Sequence, residues 1–134
     1  MAQTCYTFLV NEKAVAMKSP LALAFVGDAY MSLVVRKGLV EGVDYKVAKL
    51  HDIVSKIVCA KNQSKLFDKL FDELTEVERD IANRARNSSV NTVPSSCTLA
   101  EYKKATALEA VIGFNVLVGD LDRAGFFCYS NVSL

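Results

Sequence analysis

The sequence lacks the features of secreted and membrane-spanning proteins. No apolar run reaches the roughly 18 residues that crossing a bilayer requires, and the longest, residues 21–35, is interrupted by Asp28. The N-terminal segment MAQTCYTFLVNEK has no basic stretch followed by an apolar one, so it does not resemble a secretory signal. We therefore expect a cytoplasmic protein with no membrane partner.

Closely spaced metal-binding pairs are also missing. The four cysteines, Cys5, Cys59, Cys97 and Cys128, lie far apart, and His51 is the only histidine. This excludes a CxxC-type zinc site and favours reduced thiols. Catalysis by cysteine and histidine would need Cys97 or Cys128 to reach His51, and no pattern indicates such an arrangement.

What the chain does have is enough apolar material for one core. It contains 134 residues, of which 51% are hydrophobic, so we expect a single domain over residues 1–134. The net charge of +1 favours no class of partner. Five basic residues nevertheless fall close together beside a Ser/Asn/Thr-rich stretch: Arg79, Arg84, Arg86, Lys103 and Lys104. They form either a phosphate-binding zone or, more commonly for such a cluster, an ordinary solvated face.

The first long helix is predicted by the residues that begin and end it. Ser19-Pro20 is typical of an N-cap followed by proline at the first helical position, and Gly38 is a natural stop. The segment between them is apolar on nearly every side. This predicts a central helix that is buried in the domain or also covered by a partner subunit.

The rest of the chain also has helical spacing. Apolar residues recur every three or four positions from about Tyr45 to Asn62 and again from Ser64. Capping boxes at residues 75–78 and 98–101 predict helices that run to about Arg86 and about Val118, with Gly119 as the second stop. Residues 87–96 form the clearest loop. Because no segment alternates with period two, the sequence predicts an all-α helical bundle.

Two acids occur among apolar residues in these helices. Asp28 has Leu21, Ala24 and Phe25 on its helical face, and Glu109 has the small residues Ala105 and Gly113 on its own. A buried carboxylate needs a proton, a hydrogen bond, a basic partner or a cation.

If the two helices cross at these acids, the carboxylates face each other with no base between them. An oxygen-only site of this kind suits Mg²⁺ or Mn²⁺. The alternative is that each acid pairs separately with a lysine or an arginine, and spacing alone leaves both possibilities open.

Three blocks of sequence resemble a known family. LALAFVGDAYMSLVVR (21–36) resembles the ribonuclease III signature, whose core is E-x-F-x-G-D-A. ERDIANRARNSSVNTVP (78–94) and EYKKATALEAVIGFNVL (101–117) resemble the Mini-ribonuclease III branch, which is a catalytic domain without a double-stranded-RNA-binding domain. The resemblance covers about residues 19–120 in the right order. It implies the all-α ribonuclease III catalytic domain, assembled as a homodimer.

The resemblance assigns roles residue by residue. Asp28 matches the metal-binding aspartate of G-D-A, and Glu109 matches the metal-binding glutamate of the third block. Larger relatives have two further acids, where this chain has Ala24 and Thr106, as is typical of the Mini branch. Phe25 matches the aromatic residue that inserts into the partner subunit.

The RNA contacts implied by the same blocks are less closely matched. Asn83, Ala85 and the pair at positions 90–91 depart from the usual pattern of the branch. We expect contacts to the RNA backbone from five residues, with the loop over residues 88–94 reaching into a groove: Arg84, Arg86, Asn87, Lys103 and Lys104.

The implied activity is endonucleolytic hydrolysis of double-stranded RNA. Mg²⁺, with Mn²⁺ as a substitute, would bind at Asp28 and Glu109, and the products would carry 5′-phosphate and 3′-hydroxyl ends with 3′ overhangs. The usual substrate of the branch is the 23S ribosomal RNA precursor, on which a ribosomal protein is a further potential partner. The alternative functions are a non-catalytic RNA-binding module on the same fold and a dimeric interaction module.

Overall fold

The computed structural model describes residues 11–130, and this part of the chain is helical without any β-strand. A short 3₁₀ helix covers Phe71–Glu73, and the α-helices are α1 (Glu12–Ala16), α2 (Pro20–Gly42), α3 (Val47–Ile57), α4 (Ala60–Leu70), α5 (Glu76–Arg86), α6 (Leu99–Leu117) and α7 (Leu121–Tyr129). The all-α prediction is confirmed. None of these helices has both the length and the apolar character needed to cross a membrane. The predictions for the N-terminal MAQTCYTFLV segment and for Cys5 lie outside the described residues.

Helix α6 is the centre of the bundle. Nine of its residues are buried, from Ala105 to Asn115, and it packs against α2, α4, α5 and α7. A helix that is apolar on most sides is stable only when other helices cover it. The core therefore lies around α6, and the residues that α6 presents at its contact with α2 are held by packing on several sides.

Helices α2 and α6 cross with their backbones in contact. A Cβ atom added at Gly27 would lie 1.8 Å from the backbone oxygen of Glu109, and one added at Gly113 would lie 1.8 Å from the backbone oxygen of Leu23. Only glycine fits at either position, because any side chain would overlap the facing backbone. The prediction that a small residue at position 113 allows a close approach is confirmed. The crossing brings Glu109 beside Gly27 and hence beside Asp28.

The predicted caps are present. The Ser19 hydroxyl accepts a hydrogen bond from the backbone N–H of Ala22 at the start of α2. Reciprocal capping boxes begin α5, at Thr75 and Glu78, and α6, at Thr98 and Glu101. These motifs use only neighbouring residues, so the sequence is sufficient to identify them.

Two predicted boundaries are wrong. Gly38 does not end α2, which continues to Gly42. A Cβ added at Gly38 would have nothing within 4 Å, and a glycine inside a helix costs only about 1 kcal/mol relative to alanine. The single helix predicted for residues 45–62 is divided into α3 and α4, so the next helix begins at Ala60 rather than Ser64.

The break between α3 and α4 is stabilised by side-chain amides. Asn62 donates to the carbonyl of Lys56 at 2.6 Å, and Gln63 donates to the carbonyl of Val58 at 2.9 Å. The last carbonyls of a helix lack partners within the helix. Here the first turn of α4 supplies the partners for the end of α3, which allows the chain to turn at Cys59.

A buried ion pair fixes the far end of the bundle. Glu78 is 2% exposed and accepts hydrogen bonds from Arg123 at 2.7 Å and from Asn115 at 2.8 Å. Burial raises the pKa of Glu78, but the hydrogen bonds from Arg123, the Thr75 backbone and Asn115 outweigh it and leave the pKa below its ordinary value. This cluster joins α5, α6 and α7 and involves neither Asp28 nor Glu109.

The end of the described chain forms α7. Phe127 is fully buried and anchors this helix on the domain, whereas Phe126 is exposed. The cysteines of the described part, Cys59, Cys97 and Cys128, are free thiols, as predicted.

Candidate active site

Asp28 and Glu109 line one open cavity of about 560 Å³ between α2, α6 and the loop that precedes α6. We call it the active-site cavity; its walls are Leu21, Ala24, Phe25, Asp28, Ala85, Ser88, Ser89, Val90, Asn91, Thr92, Tyr102, Lys103, Thr106 and Glu109. The Gly27–Gly113 crossing explains why the two acids meet, since it removes any side chain that would separate the helices. The structure thus brings together the two acids that the sequence singled out.

The two carboxylates differ in their surroundings. Asp28 is exposed on the surface of the described chain, so the expectation that it is buried in an apolar environment is wrong for this chain taken alone. The reason is that α2 faces α6 with Leu23, Gly27 and Met31, whereas Asp28 points from the neighbouring helical face into the cavity. Glu109 is partly buried, so the sequence expectation of a buried acid holds for it only in part.

The environment of Glu109 favours its neutral form. Burial is the main reason that its pKa rises to about 9, and hydrogen bonding with Asp28 and the charge of Asp28 raise it further. Hydrogen bonding from Gln63 acts in the opposite direction and lowers the pKa. Two acids this close cannot both be ionised at low cost unless a cation lies between them. The separate pairing of each acid with a lysine or an arginine is not what is found for Glu109.

The donor set of the cavity suits a hard divalent cation. Asp28 and Glu109 offer only carboxylate oxygens, which Mg²⁺ and Mn²⁺ prefer. In residues 11–130 no group of three or more histidine, cysteine, aspartate or glutamate side chains is arranged to hold a metal ion. An ion at this position would therefore have two protein ligands and would need water or substrate oxygens to complete its coordination.

Three of the five predicted RNA-binding residues lie together. Arg86, Asn87 and Lys103 line a depression of about 350 Å³ that adjoins the active-site cavity, because Lys103 is part of both. The Arg86 guanidinium also lies 5.8 Å from the centre of the Phe67 ring, which orients it. Asn83 lines the same depression.

The other two predicted residues have partners within the protein. Arg84 donates to the carbonyl of Ala16 and pairs with Asp80 at 3.1 Å, so it ties α5 to the end of α1. Lys104 pairs with Asp68 on α4 at 2.8 Å. Their contact with RNA stays a prediction.

The loop between α5 and α6 forms one wall of the active-site cavity, through residues 88–92. It is anchored at its start, where the Ser88 hydroxyl donates to the carbonyl of Arg84 at 3.0 Å. Small polar side chains, Ser88, Ser89, Asn91 and Thr92, therefore line the same cavity as the two acids.

Phe25 projects from α2 at the edge of the same cavity. Its side chain is 82% exposed, which is unusual for an aromatic residue in a helix otherwise packed into the core. Leu21 and Leu33 on α2 are exposed as well. The prediction of a buried central helix holds for one side of α2 only, which packs on α6; the other side carries apolar residues that the described chain leaves uncovered.

The sequence reasoning missed Gln63. This residue is 2% exposed and reaches Glu109 from α4. Its spacing could have revealed it, because Gln63 lies three, four and seven positions before the buried residues Leu66, Phe67 and Leu70 and hence on their helical face.

Comparison with known proteins agrees with the geometry. The Ribonuclease III domain model matches residues 21–120. A Mini-ribonuclease 3 from a Thermoanaerobacter species is 38% identical over 117 residues, which cover 87% of this chain and 82% of that protein. A Mini-ribonuclease 3-like protein from Fusobacterium nucleatum is 45% identical over 95 residues, covering 71% and 73%.

A crystal structure of a Fusobacterium nucleatum protein has the same fold. It superimposes with a TM-score of 0.80 at 37% identity and covers 87% of this chain and 93% of that one. The matched region contains both acids, the loop and the basic residues discussed above. The chain therefore belongs to the ribonuclease III family of endoribonucleases, in its Mini-ribonuclease III branch.

Proposed function

We propose that the chain acts in the cytoplasm as a homodimer that hydrolyses double-stranded RNA with Mg²⁺, leaving 5′-phosphate and 3′-hydroxyl ends with 3′ overhangs. The observation that carries this proposal is the pair of acids, Asp28 and Glu109, in an open cavity beside a polar loop and Lys103. Such a cavity is wide enough to accept a phosphodiester backbone.

The protein's own groups have distinct roles in this proposal. Asp28 and Glu109 would hold the cation, which supplies charge stabilisation at the scissile phosphate and a nucleophile from water. Glu109 must lose its proton to do so, and the cation provides the compensating charge. Asp28 is exposed to the cavity and could hold the ion without a change of fold.

The RNA would lie across the adjoining depression. Lys103 lines both the active-site cavity and the adjoining depression. Arg86 and Asn87 line the depression and extend the polar surface away from the acids. Cationic and amide groups of this kind contact phosphates and 2′-hydroxyls, which A-form duplexes present regardless of base identity. We therefore expect the protein to recognise the shape of an RNA duplex rather than its base sequence.

A cleavage assay tests the activity. Long double-stranded RNA should be cut with MgCl₂ or MnCl₂ and remain intact with EDTA, and the new 5′ ends should become labelled by kinase only after phosphatase treatment. D28N should reduce cleavage by roughly 100-fold or more while it leaves the protein folded and able to bind RNA, because the ion loses one of its two protein ligands.

Asp44 provides the matched control. It is an exposed acid between α2 and α3 and lines neither the active-site cavity nor the adjoining depression. D44N should therefore cleave like the original protein. Absence of cleavage by the original protein under every metal condition would contradict the proposal and favour a non-catalytic RNA-binding module.

The natural substrate that we propose, the 23S ribosomal RNA precursor, is the one implied by resemblance to the Mini-ribonuclease III branch, whose usual substrate it is. The precursor would be cut where it is double-stranded, and a ribosomal protein bound to it would be a partner in recognition. Cleavage of such a duplex should give discrete ends, with or without the ribosomal protein. Cleavage at scattered positions in both cases would argue against this substrate.

A further inference from the structure

A second cavity lies behind Glu109. It measures about 130 Å³, and its walls are Val58, Ala60, Gln63, Tyr102, Ala105, Thr106 and Glu109; we call it the rear cavity. Glu109, Tyr102 and Thr106 border both cavities, so Glu109 stands between them. The rear cavity is large enough for a few water molecules, each of which occupies about 30 Å³ in the liquid.

Gln63 is the one strongly buried polar side chain of the rear cavity. Its amide nitrogen donates to the carbonyl of Val58 at 2.9 Å and to the sulfur of Met31 at 3.3 Å, which fixes the amide between α2 and α3. Its amide oxygen is buried and has no hydrogen-bond partner among the described residues. A buried acceptor without a partner costs about 1–3 kcal/mol, so its presence here calls for an explanation.

The amide faces an acid rather than a base. The amide N–H that meets the Met31 sulfur, a weak acceptor, can be shared with an ionised Glu109, and a water molecule in the rear cavity can donate to the amide oxygen. An apolar side chain of similar size would fill the same space without either bond. The bond to the Val58 carbonyl accounts for the amide nitrogen, and Glu109 together with water in the rear cavity accounts for the amide oxygen, on a face otherwise occupied by Leu66, Phe67 and Leu70.

We infer that Gln63 is a positioning residue, which fixes the orientation of the Glu109 carboxylate toward the active-site cavity through a direct hydrogen bond and through water in the rear cavity. This inference rests on the proposed role of Glu109 as a ligand of a divalent cation. Metal-binding carboxylates are generally held by hydrogen bonds from a surrounding shell, and loss of such a partner weakens metal affinity by about 10–100-fold. Gln63 itself does not touch the ion or the RNA.

The substitution Q63M tests this role, because methionine matches glutamine in length and flexibility but lacks both hydrogen-bonding atoms. Binding of Mn²⁺ to the RNA-free protein should weaken by about tenfold or more, measured by titration calorimetry or by the electron paramagnetic resonance of free Mn²⁺. At saturating metal, kcat for double-stranded RNA should fall and KM should stay the same. The melting temperature in EDTA should fall only modestly, since removal of the unpartnered oxygen partly offsets loss of the bond to the Val58 carbonyl.

Met31 offers the matched control. M31L removes the sulfur that accepts from Gln63 and preserves volume at an equally buried position, but it leaves Glu109 and the rear cavity untouched. It should bind Mn²⁺ like the original protein. If Q63M does not fold, Q63L carries the same expectation.

Folded Q63M that binds Mn²⁺ with unchanged affinity would overturn the inference. Failure of the proposed function has a different signature. In that case the original protein would bind no Mn²⁺, or D28N and E109Q would bind it equally well. Loss of binding in those two variants with full retention in Q63M would contradict the role of Gln63 alone.

Discussion

At the scale of single residues, position in the fold separates two acids that are equivalent in the sequence. Both follow apolar neighbours, yet Asp28 is exposed and Glu109 is partly buried. The sequence supported both as metal ligands, but it could not assign their exposure, because that depends on which side of α2 meets α6. The sequence did not connect Gln63 with the site for the same reason. Its partner, Glu109, is 46 positions away and is brought near only by tertiary packing.

The raised pKa of Glu109 predicts how stability depends on pH without metal. The folded protein binds this proton more tightly than the unfolded chain, so the contribution to stability is complete below the ordinary pKa of 4.5 and is lost as the pH rises to about 9. E109Q keeps the shape and removes the charge. In EDTA at pH 7.5 it should melt several degrees higher than the original protein, a gain of roughly 1–3 kcal/mol.

Thermal melts from pH 4 to 9 check this expectation. The difference between the two proteins should vanish near pH 4 and grow toward pH 9, whereas Mg²⁺ should raise the melting temperature of the original protein only. A difference that is constant with pH would show that Glu109 titrates normally in the folded protein.

At the scale of helices, local motifs were predictable and boundaries that depend on neighbours were not. The caps at Ser19, Thr75 and Thr98 use residues within one turn, and all three are present. The stop at Gly38 and the continuous helix over residues 45–62 were wrong. Glycine permits a helix to continue when packing of α2 favours it, and the amides that divide α3 from α4 act only in the folded geometry.

The close crossing of α2 and α6 gives a prediction at the same scale. G113A should lower stability by roughly 3 kcal/mol, because the new methyl group would overlap the backbone of Leu23 and the helices would have to separate. Cleavage should fall as well, since the same crossing holds Asp28 against Glu109. Urea unfolding and the cleavage assay measure the two effects.

Gly38 is the control for this substitution. It lies in the same helix as Gly27 with nothing within 4 Å of an added Cβ, so G38A should stabilise the protein by about 0.5–1 kcal/mol through helix propensity alone. Equal effects of G113A and G38A would mean that the backbone contact does not exist in solution.

At the scale of the whole molecule, the apolar face of α2 is the feature that a single chain leaves unexplained. Exposed Leu21, Phe25 and Leu33 lie along a helix whose other side forms the core. Exposed apolar groups grouped on one face commonly mark an interface. Because Leu21 and Phe25 line the active-site cavity, a second copy bound there would close one side of that cavity.

Phe25 is the residue that tests this assembly. F25D should convert a dimer into a monomer, observed by light scattering coupled to size-exclusion chromatography, because a buried unpaired charge opposes association. Melting should remain cooperative, since Phe25 makes little contact with its own core. L121D on α7 is the matched control: Leu121 is also exposed and apolar but lies on a different helix, so the dimer should persist. A monomeric original protein, or a dimeric F25D, would require another occupant for this face of α2.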